Sequence, residues 1–242
     1  MLTLESLQEF TKKFQTNERN VIREYIQHLC LASLYKNKEA QNLLFKGGTS
    51  LRLIYQSPRF SEDLDFTGKK FSSRNRIEDL FLKTLVEIEK TGIAISFKEA
   101  KPTTGGYLGL IHYELFSFAE DMKFEISLRK RGRAEGELTT IVSDFAITYT
   151  LIHLAPSELV DEKIQALITR GKPRDYYDLY FLLRHRALNK LVDKKKLNMV
   201  LDSLNKTQLD FRRELSVLLP VSQHMILKNF KGILRKEIEK YL

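Results

Sequence analysis

Arg59-Phe60-Ser61-Glu62-Asp63-Leu64-Asp65-Phe66 is the stretch on which the reading of this chain turns. Leu64 and Phe66 alternate with Asp63 and Asp65, and that period of two marks a β-strand. On a strand, Asp63 and Asp65 share one face, while Leu64 and Phe66 point the other way, into a core. Two carboxylates side by side repel each other and raise one pKa unless a cation lies between them. A divalent ion removes the repulsion, and Mg²⁺ takes one or two carboxylates together with phosphate oxygens. The plain alternative is an exposed Asp-x-Asp on an edge strand, because the motif alone is common.

Toward the N-terminus, Leu43-Leu44-Phe45-Lys46 reads as a short buried strand closed by Gly47-Gly48. A short helix over Thr49 to Tyr55 follows, and Pro58 breaks it. Glycines let backbone N–H groups approach a phosphate, and the helix N-terminus adds positive dipole. Ser50 or Thr49 could add a hydroxyl, and Lys46 or Arg52 a charge. An ordinary strand-to-helix turn is the alternative. Residues 4–40 read as helical, with Asn17 or Thr16 as a cap.

Toward the C-terminus, residues 74–91 carry Ile77, Leu80, Phe81, Leu85 and Ile88 at helical spacing. Strands are predicted at Ile93–Phe97, Tyr107–Leu115 and Met122–Leu128, with turns at Gly105-Gly106 and Glu120-Asp121. Beyond about residue 143 helical periodicity dominates, with helices expected over 157–170, 174–187, 194–204 and 222–240. The expected fold is therefore α+β: a mixed sheet with flanking helices over 1–143, and a helical bundle over 144–242 that closes over the active site.

Two of those C-terminal helices hold polar residues on apolar stripes. Lys163 falls between Leu159 and Val160 at roughly 100° per residue, and Arg170 lies on the same margin. Asp175 sits on the stripe of Leu179 and Leu182, and a buried Asp must be paired or functional. Lys163 or Arg170 is a natural partner, and helix capping is a third reading.

The 242 residues carry 40 Lys and Arg against 31 Asp and Glu, a net charge of +9. That excess favours a polyanionic partner. The single cysteine, Cys30, excludes an internal disulfide and a cysteine-rich zinc site. The five histidines show no metal-ligand spacing. No P-loop or Gly-x-Ser-x-Gly occurs. No apolar run approaches the ~18–20 residues a membrane span needs, and a charged leader is absent, so no membrane partner and a cytoplasmic location are expected. Basic runs at Arg129-Lys130-Arg131-Gly132-Arg133 and Lys194-Lys195-Lys196 could follow an RNA backbone or could simply be solvated.

Lys46-Gly47-Gly48-Thr49-Ser50-Leu51-Arg52 followed by Arg59-Phe60-Ser61-Glu62-Asp63-Leu64-Asp65-Phe66 resembles the signature of the polymerase-β-like nucleotidyltransferase superfamily. In detail it is similar to the AbiEii toxin family of type IV toxin–antitoxin and abortive-infection systems, related to the MenT toxins. The stretch Glu162-Lys163-Ile164 through Arg170, Arg174-Asp175 and Tyr177-Asp178-Leu179 resembles that family's second signature. The resemblance spans roughly residues 44–180. It implies transfer of a nucleoside monophosphate from an NTP, with Mg²⁺ or Mn²⁺ on Asp63 and Asp65. Such sites carry a third carboxylate on a neighbouring strand; Glu125 alternates correctly with Phe124 and Ile126 and is the candidate, although the family often has Asp there. The resemblance further implies that Lys46, Gly47, Gly48, Ser50 and Ser61 position phosphates. Lys163 and Asp175 would serve the triphosphate or the acceptor, with Arg174 and Asp178 beside them. The implied acceptor is RNA, with a tRNA 3′ end foremost, and the implied partner is a cognate antitoxin. A non-catalytic nucleotide- or RNA-binding regulator, or an enzyme that nucleotidylates a small molecule or protein, are the alternatives.

Overall fold

The computed structural model describes residues 1–69, 74–129, 133–145 and 148–242. The chain divides into two compact units, one of residues 1–56 and 60–155, the other of residues 57–59 and 156–242.

The first unit opens with two helices, α1 (Leu4–Phe14) and α2 (Glu18–Leu34). α1 ends at Gln15, which takes a left-handed conformation. Asn17 then restarts the helix, its side chain accepting the Asn20 N–H at 2.9 Å, as a cap should. Among the described residues seven strands follow, interleaved with two helices: β1 (Leu43–Lys46), α3 (Gly47–Tyr55), β2 (Leu64–Gly68), α4 (Arg74–Glu89), β3 (Ala94–Thr103), β4 (Gly106–Leu115), β5 (Phe118–Ser127), β6 (Gly136–Ile141) and β7 (Tyr149–Leu154). The strands form one mixed sheet in the order β3-β4-β5-β2-β1-β7-β6. β2 runs parallel to β5 and β1 parallel to β7, and the other neighbours are antiparallel. The fold is α+β, with a mixed sheet and helices, as expected.

The alternation read at Leu64 and Phe66 holds. Phe66 stacks on Phe124 of β5 with ring centroids 6.4 Å apart, and Phe81 of α4 lies 4.7 Å from Phe124. All three rings are buried. They cover one face of the central strands and leave Asp63 and Asp65 on the other.

Three sequence readings of the first unit need correction. First, β7 lies where helical periodicity was expected to begin. Tyr149-Thr150-Leu151-Ile152-His153-Leu154 is a short apolar run, which periodicity alone does not separate from a buried helix. β7 pairs with β1 at Phe45 and His153, so the sheet continues to residue 154 and the division falls after Ala155, not after 143. Second, the β4–β5 turn lies at Phe116, with positive φ, and Glu120 and Asp121 are inside β5. Third, β3 extends to Thr103, well past the expected Phe97.

The second unit is helical: α5 (Pro156–Arg170), α6 (Pro173–Arg184), α7 (Lys194–Lys206), α8 (Phe211–Leu218), α9 (His224–Leu227) and α10 (Phe230–Glu239). α8 escaped the sequence reading. It is started by Asp210, whose carboxylate accepts the Arg212 and Arg213 N–H groups at 3.0 and 3.1 Å. Its Phe211 joins Tyr176 and Phe230 at centroid distances of 5.5 and 5.1 Å, which centres the helical core. The expected 222–240 helix is split, with α10 starting afresh after Asn229. No helix of the described residues is long and apolar enough to cross a membrane.

Phe124 is fully buried against two other rings. Phe124→Ala should therefore cost about 3–5 kcal/mol, read as a lower urea midpoint with unchanged slope.

Candidate active site

The site begins at the junction of β1 and α3. Gly47 has φ +85, a conformation other residues rarely adopt. A Cβ built on it would lie 2.0 Å from Asp65 Oδ2. The turn is therefore a glycine for two independent reasons: backbone conformation, and a carboxylate occupying the place of a side chain. Across the sheet, Lys46 stands opposite Asp65, and Asp65 stands beside Glu125. Lys46, Asp65 and Glu125 thus form one row over three adjacent strands, on the face away from Phe66 and Phe124. Asp63, two residues before Asp65, shares that face. Its Oδ1 accepts the Lys123 N–H at 3.4 Å.

The hydroxyls of the turn are already engaged. Ser50 Oγ donates to the Gly47 carbonyl at 3.0 Å, and Thr49 Oγ1 donates to the Asp63 carbonyl at 2.5 Å. A hydroxyl has one proton to donate. With Ser50 and Thr49 hydroxyls turned to the backbone, the groups suited to a phosphate are the leading N–H groups of α3, whose dipole favours an anion. Ser61 contributes its carbonyl to the local structure, accepting Gln27 Nε2 at 3.0 Å.

Positioning residues that the sequence reading missed lie on α2. Asn20, Arg23, Glu24 and Gln27 follow a helical spacing and are all buried. Gln27 holds Ser61; Arg23 reaches Glu120 at 2.8 Å and Glu62 at 3.8 Å. Glu24 binds Arg52 of α3, whose guanidinium lies 3.6 Å from the centre of the Phe60 ring. Arg52, read as a possible phosphate cation, is instead part of this scaffold. Burial raises the Glu24 carboxyl above its usual range, although Arg52 opposes the shift. The spacing 20, 23, 24 and 27 was visible in the sequence, but a polar stripe on a helix ordinarily faces water.

Among the described residues no group of three His, Cys, Asp or Glu side chains is arranged to hold a metal. Glu125 is in register but exposed on its strand. A divalent ion nevertheless suits what is present. Asp63 and Asp65 offer two carboxylates on one face, and hard cations such as Mg²⁺ complete their shell with substrate oxygens and water.

The helical unit holds the other predicted residues in ion pairs, the most buried of them around Asp178. Asp178 accepts two hydrogen bonds from Arg59, at 2.8 and 3.0 Å, and one from Lys163 at 2.8 Å. Asp175 accepts two from Arg170, at 2.9 and 2.7 Å, and caps its own helix through the Lys172 N–H at 3.0 Å. Of the two partners expected for Asp175, Arg170 is the one observed, and the capping reading holds as well. Lys163 pairs with Asp178 instead. Arg174 lies 3.6 Å from Glu214 of α8. Burial alone would raise the Asp178 carboxyl, but Arg59 and then Lys163 outweigh it and hold its pKa at about 2. Burial acts against the Arg59 charge, and Asp178 more than offsets that, so the Arg59 pKa is raised.

Of the basic runs, residues 130–132 of the arginine loop lie outside the described residues, and Lys196 is paired with Asp161.

A carboxylate pair packed behind a glycine turn at a helix N-terminus is the arrangement expected of a nucleotidyltransferase. Residues 29–236 match the family described as "Nucleotidyl transferase AbiEii toxin, Type IV TA system". The chain belongs to this family of nucleotidyltransferase toxins. Among solved structures, MenT4, a nucleotidyltransferase toxin from Mycobacterium tuberculosis, is similar with a TM-score of 0.68 at 19% identity, over 100% of this chain and 90% of that one. JHP933 from Helicobacter pylori is similar with a TM-score of 0.64 at 21% identity, over 93% of each chain. These likenesses concern the fold. No curated protein matches the sequence.

Two outcomes are expected. Gly47→Ala drives a methyl into Asp65 from a strained backbone, and nucleotide transfer should fall by about 100-fold, a typical result of displacing a reacting group by 1 Å. Asp178→Asn leaves Arg59 and Lys163 without their counter-charge and should cost about 3–5 kcal/mol in urea unfolding at pH 7. Because the folded-state pKa of Asp178 lies below the ordinary carboxylate value, its stabilisation is present above about pH 4 and is lost as pH falls toward about 2. The difference in stability between wild type and Asp178→Asn should shrink across that window.

Proposed function

We propose that this protein transfers a nucleoside monophosphate from an NTP to RNA, with a tRNA 3′ end the foremost acceptor, and that a cognate antitoxin restrains it. The observation that carries the reading is the approach of Gly47 to Asp65. It puts phosphate-binding backbone and a carboxylate pair within one turn. The family membership supports the transferase chemistry, and the net charge of +9 suits a polyanionic acceptor.

In this reading an acceptor hydroxyl oxygen bonds to the α-phosphorus and gives up its proton to solvent, the bond from that phosphorus to the bridging oxygen breaks, and pyrophosphate leaves. Asp63 and Asp65, with Glu125 beside them in the sheet, would hold Mg²⁺ or Mn²⁺. A bound ion of this kind supplies charge stabilisation to the entering and leaving oxygens. The turn at Lys46, Gly47, Gly48 and Ser50 receives phosphate oxygens through its N–H groups. Ser61 orders the approach to Asp63 through its bond with Gln27. Lys163, Asp175, Arg174 and Asp178 are proposed to serve the triphosphate or the acceptor. Their ion pairs hold them in place beforehand, which lowers the entropic cost of binding.

The test is incubation of the full chain with each α-labelled NTP, Mg²⁺ and total RNA, alongside protein and small-metabolite fractions. Label should appear on RNA, depend on one or a few NTPs, require the metal, and vanish in Asp63→Ala. Label on the protein or metabolite fraction would redirect the acceptor assignment. Nucleotide binding without any transfer would instead indicate a regulator.

A further inference from the structure

We propose that Thr49 is a positioning residue for the Asp63 carboxylate, a role that rests on the transfer reading above for its functional meaning. The β1–β2 register ends with Lys46 opposite Asp65, two residues short of Asp63. Beyond that point β1 has already turned into α3. The Thr49 hydroxyl takes over where the ladder stops, donating to the Asp63 carbonyl at 2.5 Å. Thr49 is 1% exposed, so the bond is shielded from competing water.

The neighbouring hydroxyl does something different. Ser50 bonds the Gly47 carbonyl inside its own turn. Thr49 instead reaches across to the carboxylate strand. It lies two residues after Gly47, whose backbone touches Asp65. The same turn therefore sets both acids: Asp65 through contact with Gly47, and Asp63 through the Thr49 hydroxyl. Thr49 touches neither reacting atom; it acts through the backbone that carries Asp63.

Removing the hydroxyl while keeping the shape isolates this role. Thr49→Val should weaken Mn²⁺ binding, followed by electron paramagnetic resonance, and lower kcat, each by about 10–100-fold, as loss of a partner behind a metal ligand does. KM for the NTP should stay near the wild-type value. Amide exchange in the peptide spanning residues 60–66 should quicken, while α6 in the helical unit keeps its protection. Thr49→Ser retains the hydroxyl and should restore Mn²⁺ binding and kcat close to wild type. Wild-type Mn²⁺ affinity and kcat in Thr49→Val would overturn the proposal, as would a Thr49→Ser protein as impaired as Thr49→Val. A wild-type protein that binds Mn²⁺ yet labels no acceptor would remove the transfer reading alone, and the Mn²⁺ and exchange measurements would still decide Thr49. A wild-type protein that binds no Mn²⁺ would overturn both.

Discussion

The approach of the Gly47 backbone to the Asp65 carboxylate constrains everything around it. An anion held against a helix N-terminus is favoured by the orphan N–H groups and by the dipole. It also leaves no room for a side chain on the turn. β1 must then end at Lys46 and hand over to α3 at once, and this shortens the ladder that would otherwise support β2. Asp63 lies just before β2, beyond the reach of β1, and the Thr49 hydroxyl and the Lys123 N–H reach it instead. The local loss of sheet pairing is the geometric consequence of bringing backbone donors close to two acids.

A segment so placed needs support from other elements, and α2 provides it. Arg23, Glu24 and Gln27 are all buried. Polar groups in such a place cost free energy unless they are hydrogen-bonded. Each has a partner in or near the segment that leads to Asp63: Glu62 and Glu120 for Arg23, Arg52 for Glu24, and the Ser61 carbonyl for Gln27. Arg52 in turn covers the Phe60 ring. The approach to the acids is thus held by the Gln27 bond to the Ser61 carbonyl and by the Arg23–Glu62 ion pair, with the Glu24–Arg52 pair behind Phe60.

The helical unit solves a related problem differently. Asp178 and Arg59 are both almost inaccessible to water, and Lys163 nearly so. Removing charges from water is costly, and the cluster is tolerable because Asp178 accepts from both cations in good geometry. Arg59 explains why residues 57–59 count with the helices although their neighbours on both sides count with the sheet. The motif that ends in Asp63 and Asp65 therefore begins, at Arg59, with a residue whose role is ionic and structural.

The sequence by itself determined the α+β class, the carboxylate strand, the glycine turn and the two family signatures. These are short-range patterns, set by strand alternation, by the backbone freedom of glycine and by helical spacing. The run at 149–154 defeated it, because a short, largely apolar run does not by its periodicity alone separate a strand from a helix. The same limit moved the boundary of the first unit from 143 to 155. Only tertiary structure decided which cation meets which acid: Arg170 for Asp175, and Arg59 with Lys163 for Asp178. Only tertiary structure turned the polar stripe of α2 inward and the hydroxyl of Thr49 toward Asp63. Pairings of this kind join residues on different elements, or across the turn between α5 and α6, and their partners are selected by how those elements pack and by the burial of charge, neither of which is written in local sequence.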